Sequence, residues 1–326
     1  MRLVQTLVVR DEADIVGEQI AYHLNAGVDF VIATDHESED GTTQILGRYV
    51  REGQLRLIRV QGEMRDGPWR THMARLAAIE HAADWVINTD ADEFWVPRGG
   101  SLKDVFAAVP DTVGAIYALS KHFVPRPEHN GSPFFERMTV HASPAVAIND
   151  PTSPFRPHLK VAHRGDPEVT ISFGSHTASS PNWAALHHWH PAEVLHFPYR
   201  SLAQWENKGS RRARGDKPLG QYVTTLRAKE AGRSASRYAQ LVVDDLALER
   251  GLADGSLTID VRLRDALRAA GAETGPWRAA PSLDASVLLA GEAVRDADIV
   301  RLHRFLDVLA ARTATLEKPE RGWTVG

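Results

Sequence analysis

Along the first hundred residues, short continuous apolar runs alternate with apolar residues spaced three or four apart, the pattern of strands alternating with amphipathic helices. Leu3 to Val9 reads as a first strand. A helix is predicted over Glu12 to Ala26, where Ala13, Val16, Ile20 and Leu24 share a face and Gly27 is placed to end it. Val28 to Thr34 reads as the second strand, Gly41 to Gly53 as the second helix through Ile45, Leu46, Tyr49 and Val50, and Leu55 to Val60 as a short β-rich run. Pro68 can occupy the first turn of a helix running to Ala83, after which Asp84 to Thr89 leads as a buried strand into Asp90. Ser101 to Val109 reads as a capped helix stopped by Pro110, and Val113 to Leu119 as another strand. Such a succession of βαβ units predicts an α/β fold with a mostly parallel sheet flanked by helices.

Beyond Lys121 the pattern changes. Residues 121 to 199 are rich in Pro, His, Ser and Gly, a stretch too long for a plain loop and expected to hold short strands and binding loops on one face of the sheet. From Ser201 onward helical patterns dominate, at Ser236 to Arg250, Val261 to Ala270 and Asp298 to Ala314. The expected division is an α/β domain over residues 1–200 and a helical C-terminal appendage over 201–326.

The 326 residues are 43% hydrophobic and 25% charged, which excludes disordered and collagen-like chains. Lys plus Arg is 38 against 42 for Asp plus Glu, so no broad cationic surface exists for nucleic acid. The chain has no cysteine, which excludes disulfides, cysteine-ligated zinc and a thiol nucleophile and agrees with a reducing compartment, the cytoplasm being the default. The apolar run Leu3 to Val9 is broken at Arg10-Asp11-Glu12 before a signal sequence could be completed, and no stretch approaches the roughly 20 apolar residues of a membrane helix.

Candidate chemistry concentrates in Asn88-Thr89-Asp90-Ala91-Asp92-Glu93-Phe94-Trp95, where three carboxylates arrive within four residues at the carboxyl end of a predicted strand. That is where α/β sheets place ligands, and carboxylates so close together call for a hard divalent cation such as Mg²⁺ or Mn²⁺; an acidic turn with Asp92 as a helix cap is the plainer alternative. Asp35-His36-Glu37-Ser38-Glu39-Asp40-Gly41-Thr42 occupies the equivalent place after the second strand, with Asp35 nearest the strand end and Asp40 suited to capping the next helix. His187-His188-Trp189-His190-Pro191 offers imidazoles, although adjacent histidines rarely converge on one ion, and reads as a surface or acceptor-side loop. Trp69, Trp95, Trp183 and Trp189 could stack on a sugar or lie in the core.

Taken together these segments resemble the family 2 glycosyltransferases and their relatives with the nucleotide-sugar-binding GT-A fold. Val8-Val9-Arg10-Asp11-Glu12-Ala13 is similar to the Arg-Asn-Glu opening of a subgroup near family 92, with Asp11 in place of the usual Asn. Tyr22-His23-Leu24, Gly27-Val28 and Ser38-Glu39-Asp40-Gly41-Thr42 continue the pattern, and Asp90-Ala91-Asp92-Glu93-Phe94 matches the subgroup's Asp-x-Asp-Glu-Phe segment. The resemblance implies a donor half over residues 1–97 and an acceptor half over 98–200. It implies that Arg10, Glu12 and Asp35 serve the donor, Asp35 touching the base, with Asp90 on the ribose or metal and Asp92 on the divalent ion. His176, in Phe173-Gly174-Ser175-His176, is the preferred further metal ligand, with His196, in Leu195-His196-Phe197-Pro198, competing for the place. Arg200 and Lys208 would neutralise the departing diphosphate, and Lys208 to Gly215 would form a basic loop able to close as a lid or simply remain solvated.

The activity implied is transfer of a sugar, with inversion, from a nucleotide diphosphate donor, a UDP-sugar favoured, to a hydroxyl of a glycan or small molecule, in glycan or cell-envelope polysaccharide synthesis. A carboxylate would take the acceptor proton, with Asp166 ranked before Glu168 and Asp150. Two other readings stay open. A sugar-phosphate nucleotidyltransferase would use a similar acidic site but wants a Gly-rich first loop, which is absent between Val8 and Ala13. A noncatalytic carbohydrate-binding protein could keep the fold without turnover. Peripheral association with the inner face of a membrane is also left open.

Overall fold

The computed structural model describes residues 1–128, 131–150, 152–213 and 220–272. The alternation read from the sequence is present: β1 (Leu3–Val9), α1 (Val16–Asn25), β2 (Phe30–His36), α2 (Thr42–Arg51), β3 (Leu55–Val60), α3 (Asp66–Ile79) and β4 (Trp85–Asp90). Every residue of β1 is buried, as expected of a parallel strand covered on both faces. The chain then turns at Ala91-Asp92 into β5 (Glu93–Pro97), passes α4 (Leu102–Ala107), and forms β6 (Val113–His122). Ser101 caps α4 in a reciprocal capping box with Asp104.

The Pro- and His-rich stretch holds α5 (Phe134–Arg137), β7 (Val140–Ala142), α6 (Pro144–Asn149), β8 (Leu159–Arg164), β9 (Thr170–Ile171), β10 (Ala178–Ser179), β11 (Ala184–Leu186) and β12 (Ala192–His196). After it come α7 (Leu202–Arg212), α8 (Gly220–Glu230), α9 (Ser234–Ala239), α10 (Asp245–Ala253), β13 (Leu257–Ile259) and α11 (Arg262–Ala272).

The main sheet runs β3-β2-β1-β4-β8-β6-β12-β5, with β11 also paired to β6. Only β8 and β5 run against the other strands. In register, Val9 faces Asp35 and Val8 faces Asp90, so β1, β2 and β4 end at one edge of the sheet. Asp35 and Asp90 therefore stand two strand spacings apart, about 10 Å. The core beneath that edge is built from Leu3, Leu7, Ile87, Phe94 and Trp95, with Trp85 stacked on Phe106 at 4.9 Å.

Several expectations change. The first helix begins at Val16 rather than Glu12, because residues 12–15 form a turn whose acidic side chains are used elsewhere. Gly41, at φ 105°, takes the N-cap position of α2, while Asp40 accepts from Thr42 N at 3.0 Å and Ala13 N at 3.0 Å and so ties two loops together. The helix expected over Ser236 to Arg250 is two, α9 and α10, the second capped by Asp244 accepting from Ala247 N at 2.8 Å. Lys208 to Arg212, expected in a loop, are the last turns of α7, while Arg214 and Gly215 lie outside the described residues. So does the helix expected at Asp298 to Ala314. The C-terminal part is knitted into the molecule, since β13 pairs antiparallel with β7 and Leu263 and Leu267 join the main core. Among the described residues no helix is long and apolar enough to cross a membrane.

Candidate active site

Asp90 closes β4 and Glu93 opens β5, so the two-residue turn between them holds Asp92 at the edge where β1 and β2 also end. Asp92 and Glu93 are almost wholly buried, at 1% and 0% exposure. Buried carboxylates are costly unless cations and hydrogen bonds compensate, and here four cations gather on Asp92, Glu93 and the carboxylates beside them. Lys160 of β8 contacts Glu93 at 2.6 Å and Asp90 at 3.1 Å. Lys208 of α7 contacts Asp92 and lies 3.2 Å from Glu12. Arg70 of α3 donates to Asp66 at 2.9 Å, to Asp90, to Thr89 O at 3.1 Å and to Ser175 Oγ at 2.7 Å. Arg200, fully buried, grips Asp14 through two bonds of 2.8 Å and also donates to Glu12.

These contacts set the protonation of the site. Burial alone would raise the Asp92 carboxyl, but Lys208, His196 and Arg200 outweigh it and hold the group well below the usual carboxylate range. Glu93 goes the other way: burial raises it, and Lys160 only partly offsets that. Lys160 loses solvation but gains more from Asp90 and Glu93, so its ammonium is held charged.

His196, at the end of β12, brings Nε2 to 3.4 Å from Asp92 Oδ1. Among the described residues, Asp92, Glu93 and His196 are the group whose ligand atoms all come within 4.8 Å of one another. Two carboxylates and an imidazole suit a borderline-hard divalent ion such as Mn²⁺, and their mutual spacing matches donors that share one coordination sphere. The residues thus fit a metal, with the Lys208 ammonium as its competitor at Asp92.

The triad lies in the floor of a cleft of about 640 Å³ whose lining includes His158, Lys160 and His176 and, from the C-terminal helices, Trp205 and Tyr222. Asp90 and Lys208 line it as well. His176 is in the cleft but outside the triad: its Nδ1 bonds Leu159 O at 2.8 Å and its ring packs beside His158, 5.5 Å between centroids. Asp90, expected as a ligand, is instead held between Arg70 and Lys160.

Arg10, Glu12 and Asp35 stand at the neighbouring strand ends. Asp35 is buried and accepts from Ser38 N at 3.2 Å and Thr43 Oγ1 at 2.5 Å. Arg10 lies 3.8 Å from Glu37. Arg200 does not reach the cleft, because its guanidinium is buried on Glu12, Asp14 and the Phe197 carbonyl, where it fixes the first loop. The base ranked first is misplaced. Because β8 runs antiparallel to β4, with Arg164 opposite Trp85, Asp166 and Glu168 follow at the other end of the sheet from Asp92. There Asp166 accepts from Ser180 Oγ at 2.6 Å and Asn182 at 3.1 Å. Asp150 is exposed and accepts from Thr152 N at 2.8 Å, and Thr152 and Ser153 line the cleft.

The histidine run does not converge: His190 Nδ1 bonds Tyr117 O at 2.9 Å and His187 stacks on Tyr117. Trp95 is core, Trp183 covers Gly114, and Trp205 lines the cleft. Sequence reasoning counted Glu93 only as one of three clustered carboxylates and gave no role to Arg70 or Lys160. Glu93 stood inside the quoted motif, and the Asp66/Arg70 pair had the i,i+4 spacing of a helical ion pair.

Residues 4–147 match the model of glycosyltransferase family 92. The chain carries a glycosyltransferase domain. The glycosyltransferase match ends before β8, so Lys160, His196 and Lys208 lie beyond it. The fold is mixed α/β, with the acidic turn directly after β4. No curated protein sequence matches this chain. Among solved structures, S. aureus TarS 1-349 is similar at 14% identity and a TM-score of 0.32, covering 72% of each chain. The same fragment in complex with UDP is similar at 13% identity and a TM-score of 0.32, covering 85% of this chain and 93% of that one. A 4-diphosphocytidyl-2C-methyl-D-erythritol synthase is similar at 10% identity and a TM-score of 0.28, over 50% of this chain and 75% of its own. Likeness at this level assigns neither donor nor acceptor.

Proposed function

We propose that the protein transfers a sugar, with inversion, from a nucleotide diphosphate donor to a hydroxyl acceptor in the cleft above Asp92. The observation that carries this reading is the convergence of Asp92, Glu93 and His196 at the carboxyl end of β4, in a glycosyltransferase domain. A divalent ion on these three residues would supply charge neutralisation for the leaving diphosphate. Lys208, which lines the cleft, is placed to add a second positive charge there. Arg200 holds Glu12 and Asp14 and so shapes the first loop, while Arg70 and Lys160 keep the Asp90 carboxylate fixed. Asp150 is the base we favour, because its loop borders the cleft and Asp166 and Glu168 do not. A UDP-sugar is the donor to try first, on the family resemblance of the motifs.

The test is thermal unfolding against UDP, GDP, CDP and dTDP, each with and without Mn²⁺. One diphosphate is expected to raise the midpoint only with metal, by the equivalent of about 2.7 kcal/mol at a hundredfold excess over its Kd. Asp92→Asn is expected to remove that shift and turnover together, whereas Asp150→Asn should lower kcat and leave the shift in place. A folded wild-type protein that responds to no diphosphate overturns the reading.

A further inference from the structure

The turn Phe173-Gly174-Ser175 sits between β9 and β10 and lines the cleft through Phe173 and Gly174. Two consecutive residues there have left-handed backbones, Gly174 at φ 66° and Ser175 at φ 57°. The second is not a glycine, and such a conformation costs of order 1 kcal/mol or more unless its surroundings enforce it. They do. Gly174 N donates to Asp66 Oδ2 at 2.7 Å, Lys160 donates to Gly174 O at 2.8 Å, and Arg70 donates to Ser175 Oγ at 2.7 Å. A Cβ at Gly174 would stand 2.7 Å from His176 Nε2, so the histidine ring closes the turn from the other side.

The residue just before this clamp is Phe173, 61% exposed and lining a cleft that also includes Asp90, Lys160 and His176. An isolated exposed apolar residue needs no explanation on an ordinary surface. The two residues after Phe173 are held by the same buried Arg70 and Lys160 that hold Asp90, so the backbone that carries the ring is tied to the acidic turn. A rigid flat apolar surface next to hydrogen-bonding groups matches a ligand with one C–H face and a polar rim, which is the shape of a pyranose ring.

We infer that Phe173 is a stacking platform for a pyranose ring of the acceptor, held at a fixed place beside the acidic turn by the clamped 173–175 turn. The inference rests on the glycosyltransferase reading for the role of that sugar, though not for the stacking itself. The acceptor is favoured over the donor sugar because Phe173 is open to solvent, whereas Asp92 and Glu93, which would hold the donor's metal, are buried.

Saturation-transfer NMR on the full chain tests this, with methyl β-D-glucopyranoside, methyl β-D-galactopyranoside, methyl α-D-mannopyranoside and methyl N-acetyl-β-D-glucosaminide as probes, and with UDP and UDP-GlcNAc in separate tubes. At least one methyl glycoside should receive saturation mainly on the protons of one ring face. That signal should fall about fivefold or more in Phe173→Ala and also in Phe173→Leu, which keeps the apolar bulk without the flat ring, and should persist in Phe173→Tyr. The Mn²⁺-dependent UDP shift should be the same in all four proteins. No saturation of any methyl glycoside by wild type, or equal saturation by Phe173→Ala, overturns the proposal. Loss confined to the sugar protons of UDP-GlcNAc overturns the acceptor assignment in favour of the donor. Phe173-dependent glycoside binding in a protein that ignores every diphosphate upholds the platform and overturns the glycosyltransferase mechanism instead.

Discussion

His23 is fully buried in α1 with both ring nitrogens used: Nδ1 bonds Gln19 O at 2.8 Å, and Nε2 accepts from Trp95 N at 3.0 Å. That pairing demands the neutral ring, and burial pushes its pKa down to about 4, as it does for His163 in β8. Both values lie below the unfolded value near 6.5, so the unfolded chain takes up protons first as pH falls. Stability is therefore full above about pH 6.5 and is lost as pH falls toward 4, at about 2 kcal/mol for each histidine between pH 7 and pH 5. Urea unfolding at those two pH values should show the loss, and His23→Gln should reduce the difference while lowering stability at pH 7. Arg200→Met should cost about 3–5 kcal/mol in the same assay, because Glu12 and Asp92 would be left buried beside a missing charge. At this scale the sequence disclosed Asp92, whose motif is local. Lys160 was not legible as its neighbour's counter-ion, because the pairing with Glu93 joins residues far apart in the chain and needs β8 beside β4.

Among the elements, β1 to β4 were readable because continuous apolar runs bounded by turn residues leave little else for those segments to do. β5 and β12 were not, since each is short and they pair with each other across a hundred residues of chain. The antiparallel direction of β8 decided most of what sequence reasoning missed about the site. It brings Lys160 and the 173–175 turn to the acidic edge and carries Asp166 away from it. The strand leaves the sheet at Gly165, where an added Cβ would stand 1.8 Å from Ala83 O. Gly165→Ala should therefore destabilise the protein by about 1–3 kcal/mol or more, read as a lower urea midpoint, because the backbone at Ala83 has no flexible end that could yield.

Over the whole molecule, the first loop and the acidic turn are held by cations from the far end of the described chain. Glu12 and Asp14 from the first loop meet Arg200 and Lys208 from beyond residue 199, and Asp92 meets Lys208 as well. The change in composition near residue 200 was legible and suggested an appendage. What it could not show is that the following helix carries the counter-charge of the acidic turn. A polypeptide ending at residue 200 should unfold at a markedly lower temperature than one ending at residue 272 and show no metal-dependent UDP shift. The same charges allow a different use: a gene divided after residue 199 would yield two fragments, one short of positive charge and the other of negative, each incomplete until it finds its complement. Recovery of sugar transfer on mixing would then serve as a reporter of their meeting.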